Sequence, residues 1–163
     1  MLATAISVRD LRPADWPEVA RIFEEGIDSG ATFATAAPSW KAWDAAHTLR
    51  VVAEADGDVV GWAALEPTSS RHVYRGVARS AVYVAESARG QGAGRALMTG
   101  LIARSERAGI WTIEARMFPE NEASVSLHLA LGFRIVGIHQ RLGQRNGVWR
   151  DVLLLERRSE VIE

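Results

Sequence analysis

The chain has 163 residues, of which 48% are hydrophobic, and this length and composition fit one globular domain spanning residues 1–163. A net charge of −1 and an isoelectric point near 6.4 give no basic footprint for nucleic acid, and no apolar run reaches the ~18 residues of a membrane span. Because the sequence has no cysteine, and residues 1–10 lack the pattern of a signal peptide, we expect a cytoplasmic protein with a small-molecule partner.

The hydrophobic pattern predicts alternating strands and helices without internal repeats. In chain order the predicted elements are a strand at residues 6–11, a helix from 15 to about 30, a short helix after 39, strands at 49–55 and 59–66, a strand at 80–84, a helix after residue 94, a strand at 110–117, a helix at 121–131, and strands at 135–139 and 148–155. Asp15 is a candidate cap for the first helix, and Asp56-Gly57-Asp58 predicts an antiparallel hairpin.

The segment between the predicted strand at residues 80–84 and the following helix has the composition of an anion-binding loop. It contains three glycines and two arginines: Arg89, Gly90, Gln91, Gly92, Ala93, Gly94 and Arg95. Free N–H groups at a helix N-terminus point toward an anion, and glycines allow the backbone to approach it closely. The segment therefore predicts a site for a ligand that carries a pyrophosphate.

Two better-known glycine loops fit the same segment less well. A P-loop ends in Gly-Lys-Ser/Thr, whereas Gly94 is followed by Arg95 and Ala96. A dinucleotide fingerprint needs a small residue where Arg95 or Leu97 stands, although Glu114 follows about twenty residues later in a predicted strand. Dinucleotide binding stays open as an alternative, and so does a tight turn that needs glycine only for its geometry.

Two segments resemble the signatures of the GNAT acetyltransferase superfamily. The pattern Arg89-x-x-Gly92-x-Gly94 is similar to its pyrophosphate loop, and residues 118–133 resemble its second signature, in which an asparagine opens a helix that closes on Leu-Gly-Phe. Thr32-Phe33, the loop Pro67-x-x-x-Arg71-x-x-Tyr74 and residues 147–152 resemble one branch, the phosphinothricin and methionine sulfoximine N-acetyltransferases. The resemblance covers almost the whole chain.

This resemblance implies an α/β (α+β) fold, in which helices flank a mixed, mainly antiparallel sheet in the order β-α-α-β-β-β-α-β-α-β-β. It also implies acetyl-CoA as the cosubstrate and a homodimer with sites near the interface. The residues that it assigns to acetyl-CoA, besides the glycine loop, are Val82, Tyr83 and Val84 on a splayed strand, and Asn121. The Val84 N–H is the candidate to polarise the thioester carbonyl, while Asn121 is also a good helix cap.

His128 matches the position at which many members of the superfamily carry a tyrosine acid, so we expect it to donate a proton to the leaving thiolate. Phe33, Arg71 and Tyr74 match positions that bind the amino acid in the branch. Arg79 stands where the branch has a glutamate, and a guanidinium there would repel an ammonium and attract a carboxylate.

The sequence thus predicts an N-acetyltransferase that transfers acetyl directly to the amino group of a small substrate, an amino acid or an analogue. The alternatives are another acceptor, such as a polyamine or a protein N-terminus, and a non-catalytic acyl-CoA sensor. The general base stays open between water relayed to a backbone carbonyl, Glu66, Asp151 and His72. The four histidines have no metal-ligand spacing, so no metal is expected.

Overall fold

One seven-stranded sheet organises the chain. The computed structural model describes residues 4–163, so the first three residues of the predicted domain lie outside the described part. The elements are β1 (Ile6–Asp10), α1 (Trp16–Asp28), α2 (Trp40–Ala46), β2 (Leu49–Ala55), β3 (Asp58–Pro67), β4 (Val77–Val84), α3 (Ala93–Arg107), β5 (Thr112–Met117), α4 (Glu122–Ala130), β6 (Arg134–Arg145) and β7 (Val148–Arg158). Their order is the predicted one, with short 3-10 helices at residues 13–15, 72–74 and 86–88 between them.

Two local predictions differ from the structure. Strand β6 continues past His139 to Arg145, because a bulge with Arg141 at φ 48° lets its polar second half stay paired with β7. The side chain of Asp15 does not cap α1. Its carboxylate instead accepts hydrogen bonds of 2.8 Å from two nitrogens of Arg9. These bonds lower the pKa of Asp15 and occupy the oxygens that would otherwise cap the helix.

The strand order in the sheet is β1-β2-β3-β4-β5-β7-β6. Strands β4 and β5 are parallel, and the other five pairs are antiparallel. The predicted hairpin at Asp56-Gly57 is confirmed: φ values of 52° and 83° at these residues are those of a two-residue turn whose twist matches that of the strands.

The sheet separates two hydrophobic layers. On one face, called here the α3 face, Leu97, Met98 and Leu101 of α3 pack on the strands, and α4 packs beside α3. On the other face, the α1 face, Val19 and Ile22 of α1 pack with the aromatic side chains of α2 and β3. The sheet therefore lies between two layers of helices and fixes the positions of the functional elements.

Tyr83 of β4 fixes the distance between α1 and the sheet. Its ring stacks on Trp62 at 4.8 Å between centroids, and a Cβ at Gly26 of α1 would lie 2.5 Å from the ring. Burial raises the pKa of the Tyr83 hydroxyl, which Thr32 contacts. A larger residue at position 26 would thus force α1 away from β4.

We expect Gly26→Val to lower the free energy of unfolding by about 1–3 kcal/mol, because the added side chain would overlap the Tyr83 ring, which lies 2.5 Å from an added Cβ. Chemical denaturation measures this change. The control is Glu18→Val, which places the same β-branched residue on an exposed position of α1. Equal stability of the two variants would contradict the close packing of Gly26 on Tyr83.

Candidate active site

The parallel strands β4 and β5 separate after three paired positions. Val77 pairs with Thr112, Ala78 with Ile113 and Arg79 with Glu114, and the ladder stops there. Beyond this point, residues 80–84 of β4 and 115–117 of β5 form an opening in the sheet, called here the fork. The splayed strand that the family resemblance implied is therefore present in the structure.

Backbone groups of β4 face the fork at alternate residues. The Ala85 N–H donates to Val60 O of β3 at 2.8 Å, so the groups of Val84 and Val82 point the other way, toward β5. The Arg89 Nε donates to Val84 O at 3.4 Å. The Val84 N–H is thereby oriented for the predicted contact with a carbonyl oxygen in the fork, although that contact stays a prediction.

The glycine loop continues directly from the fork to α3. Gly90 and Gly92 have φ values of 74° and 89°, and an added Cβ would meet no atom within 4 Å at either residue. The first hydrogen bond of α3 runs from the Ala96 N–H to Gly92 O at 3.0 Å, and the N–H groups of residues 90–95 have no acceptor in the described part of the chain. Open space beside unbonded N–H groups is the arrangement that binds a pyrophosphate.

Gly94 has a different role in the loop. A Cβ at this residue would lie 3.3 Å from Leu127 Cδ2, so its absence lets α4 pack closely against the start of α3. Asn121 caps α4, because its Oδ1 accepts from the Ser124 N–H at 3.3 Å. The cap role is confirmed, and a contact of Asn121 with the pantetheine arm remains a prediction.

His128 is 2% exposed on the α4 side of the core. Its Nδ1 donates to Ser124 O at 2.7 Å, and its ring meets Phe133 edge-on at 4.9 Å. Burial lowers the pKa of His128 and outweighs the hydrogen bond to Ser124, which raises it. The neutral ring then keeps its proton on Nδ1, so the predicted donation from Nε2 requires a second proton that burial disfavours.

Arg79 lies in a row of charges across the α1 face. Its Nη1 is 3.4 Å from Glu66 Oε1 on β3, and its Nη2 is 4.0 Å from Glu114 Oε2 on β5. The three side chains face the same way because the residues pair across the strands. Arg79 therefore reaches the end of the fork, with its positive charge compensated by two carboxylates.

Phe33 lies at the open end of the fork, where its ring meets Phe118 edge-on at 4.9 Å. Arg145 of β6 holds the segment that carries it, donating to Thr32 O at 2.7 Å and to Ile27 O at 2.8 Å. The second of these bonds satisfies a carbonyl in the last turn of α1. Sequence reasoning missed Arg145, because no local pattern connects it with residues more than a hundred positions away.

Arg71 and Tyr74, the other two predicted acceptor residues, lie close to each other. They occupy the loop before β4, where the Arg71 guanidinium stands 5.4 Å from the centre of the Tyr74 ring. That loop leads to Val77, which pairs with Thr112 at the start of β5, whereas Phe33 meets Phe118 just beyond the end of the same strand. A shared acceptor pocket for Phe33, Arg71 and Tyr74 stays a prediction.

The three side chains considered for the general base lie in different places. Glu66 belongs to the charged row beside the fork. Asp151 accepts from the Arg141 N–H at 2.8 Å in the β6–β7 hairpin, and His72 lies in the loop before β4. In the part of the chain that the structure describes, no group of three or more histidine, aspartate or glutamate residues is arranged to hold a metal ion, and no helix is long and apolar enough to span a membrane.

Comparison with known proteins agrees with this arrangement. The sequence profile described as "Acetyltransferase (GNAT) family" matches residues 8–133. The chain is 30% identical to the L-methionine sulfoximine/L-methionine sulfone acetyltransferase of Pseudomonas paraeruginosa, over 92% of each chain. It is 35% identical to the phosphinothricin N-acetyltransferase of Alcaligenes faecalis, over 94% of this chain and 82% of the relative.

A solved structure gives the same result. The GNAT superfamily phosphinothricin acetyltransferase of Sinorhizobium meliloti in complex with AcCoA superposes with a TM-score of 0.84 at 26% identity, over 96% of this chain and 95% of that one. The fold and the fork are those of an acyltransferase, and the chain belongs to the acetyltransferase (GNAT) family. It is an N-acetyltransferase with acetyl-CoA as its cosubstrate, and contact of the glycine loop with the pyrophosphate of that molecule stays a prediction.

Proposed function

We propose that the enzyme transfers the acetyl group of acetyl-CoA to the amino group of an amino acid or an analogue, such as methionine sulfoximine or phosphinothricin. The observation that carries this proposal is the fork, which leads from the unbonded N–H groups of residues 90–95 to the charged row at Arg79. The names of relatives that match over most of this chain support the acceptor class.

Direct attack in a ternary complex is the proposed mechanism. The sequence contains no cysteine that could carry the acyl group, so the amine nitrogen, once its ammonium form has lost one proton to solvent, attacks the thioester carbon itself. The C–S bond then breaks, the nitrogen loses a proton to a base, and the CoA sulfur receives one. The Val84 N–H is proposed to stabilise the oxyanion, and His128 to supply the proton for sulfur.

A cytoplasmic homodimer is part of the same proposal. Large apolar side chains are exposed along the last two strands: Ile135, Val136, Ile138, Leu142, Val148 and Trp149. An apolar surface of this kind favours contact with a second copy. Sedimentation at several concentrations tests the assembly, and a monomer at all of them would contradict it.

We expect acetyl-CoA to raise the melting temperature and NAD to leave it unchanged, because the loop lacks the dinucleotide pattern. A ligand at ~100 times its Kd adds about 2.7 kcal/mol to the free energy of unfolding. Equal stabilisation by NAD, or none by acetyl-CoA, would contradict the cofactor assignment.

A thiol-release screen with acetyl-CoA then tests the acceptor class. Amino acids with their sulfoximine and phosphinate analogues are compared with polyamines and short peptides. A preference for polyamines or peptide N-termini would move the activity to another acceptor. If acetyl-CoA binds but none of the amines causes release of the CoA thiol, the result would support a sensor instead of an enzyme.

A further inference from the structure

Part of the α1 face beside the fork is open. Helix α1 packs over β3 and β4 and leaves the neighbouring strand β5 uncovered on this face. Along β5, the buried Ile113, Ala115 and Met117 face the α3 layer, and the alternate residues Glu114 and Arg116 face the open side. Two opposite charges therefore line the fork from the strand opposite Val84.

Arg116 is exposed and makes no hydrogen bond or ion pair with any described residue. This distinguishes it from Arg79, which lies between two carboxylates, and from Arg150, whose Nη2 donates to Glu120 Oε2 at 3.1 Å. An exposed arginine without a partner beside the fork is available for a planar anion such as a carboxylate.

The charges on this uncovered part of the α1 face complement those of a zwitterion. Arg79 compensates one of the two carboxylates Glu66 and Glu114, which leaves a single negative charge near the end of the fork. Arg116 adds one positive charge two residues further along β5, about 7 Å away. One uncompensated negative and one positive charge at this spacing complement an ammonium and an acidic group attached to the same carbon.

We infer that Glu114 and Arg116 determine acceptor specificity, with Glu114 binding the α-ammonium group and Arg116 the α-carboxylate of an α-amino acid. This inference rests on the proposed function and narrows its substrate class to α-amino acids. It also assigns the carboxylate to Arg116 and not to Arg71, which lies beside Tyr74 in the loop before β4. Polyamines and amines without an acidic group leave Arg116 without a partner.

The test compares one α-amino acid with its methyl ester, which keeps the amine and removes the negative charge. The acid is the α-amino acid that gives the highest rate in the acceptor screen. We expect Arg116→Gln to lower kcat/KM for the acid about 10- to 100-fold, mainly through KM, and to change the value for the ester little. Arg116→Lys is expected to be intermediate, because it keeps the charge without the bidentate geometry.

Two further variants complete the design. Glu114→Gln is expected to weaken both acceptors, since both carry the ammonium group. Arg107→Gln, an exposed position near the end of α3, serves as the matched control and is expected to change neither. Unchanged binding of acetyl-CoA by calorimetry shows that each variant is folded.

An equal effect of Arg116→Gln on acid and ester, or none on either, overturns the inference while the acetyltransferase activity stands. Turnover of other amines with no α-amino acid accepted overturns it as well. Absence of turnover with every amine contradicts the proposed function. Calorimetry of L-methionine sulfone with the CoA-loaded protein then decides the inference separately: binding that depends on Arg116 supports it, and binding that does not, or no binding, overturns it.

Discussion

Gly92→Val is expected to weaken acetyl-CoA binding by about 100-fold or more, equivalent to roughly 3 kcal/mol. Gly92 has a φ of 89° at the N-terminus of α3, beside N–H groups without acceptors. A valine side chain would enter the open space through which a pyrophosphate reaches these groups, and would also be strained at a positive φ. Calorimetric titration with acetyl-CoA measures the change in affinity.

The matched control for this prediction is Gly57→Val. Gly57 has a φ of 83° and, like Gly92, open space around an added Cβ, but it lies in the β2–β3 hairpin. Both variants carry the same backbone strain, about 1–2 kcal/mol in the free energy of unfolding. If both lose similar stability and only Gly92→Val loses affinity, the loop binds the ligand. Unchanged affinity in a folded Gly92→Val protein would mean that the loop is only a turn.

The features that the sequence predicted well are local. The β-branched and aromatic residues at 80–84 predict a strand, and the helical spacing of Leu97, Met98 and Leu101 predicts α3 after the glycine loop. The Asp56-Gly57 turn required only two adjacent residues. The resemblance to a family supplied the mixed, mainly antiparallel sheet, and the order of its strands came from the structure, since no periodicity in one chain states which strands pair.

The acceptor site depends on pairings between distant parts of the chain. Arg79 looked like an uncompensated cation in the sequence, but the strand register places Glu66 and Glu114 on either side of it. The same register places Arg116 beside the fork. A signal was present in the alternation of charged and apolar residues in β5, which marks a strand with one open face.

The environment of His128 is a further property that the sequence did not reveal. Position and residue type suggested a proton donor of ordinary pKa. The structure buries the ring against Phe133 and directs its Nδ1–H to Ser124 O, so burial lowers the pKa below the usual 6.5. The unfolded chain then binds the proton more strongly, so this contribution to stability is complete above about pH 6.5 and is lost as the pH falls through the lowered pKa.

We expect His128→Phe to lower kcat by about 100-fold or more, with the affinity for acetyl-CoA largely kept, because general acid catalysis contributes about 10²- to 10⁴-fold. Phenylalanine preserves the packing against Phe133 and removes both ring nitrogens. Steady-state thiol release and calorimetry measure the two quantities. His139→Phe, an exposed position on β6, is the control and should leave kcat unchanged.

The pH profile separates proton donation from packing at His128. Only the doubly protonated ring can donate from Nε2 while Nδ1 stays bonded to Ser124 O. Because burial lowers the pKa of His128, the protonated fraction falls as the pH rises through a value below 6.5, and turnover should fall with it. His128→Phe should lack this limb and keep the rest of the profile. A lower kcat with an unaltered pH profile would mean that His128 contributes only to packing in α4 and that another group donates the proton.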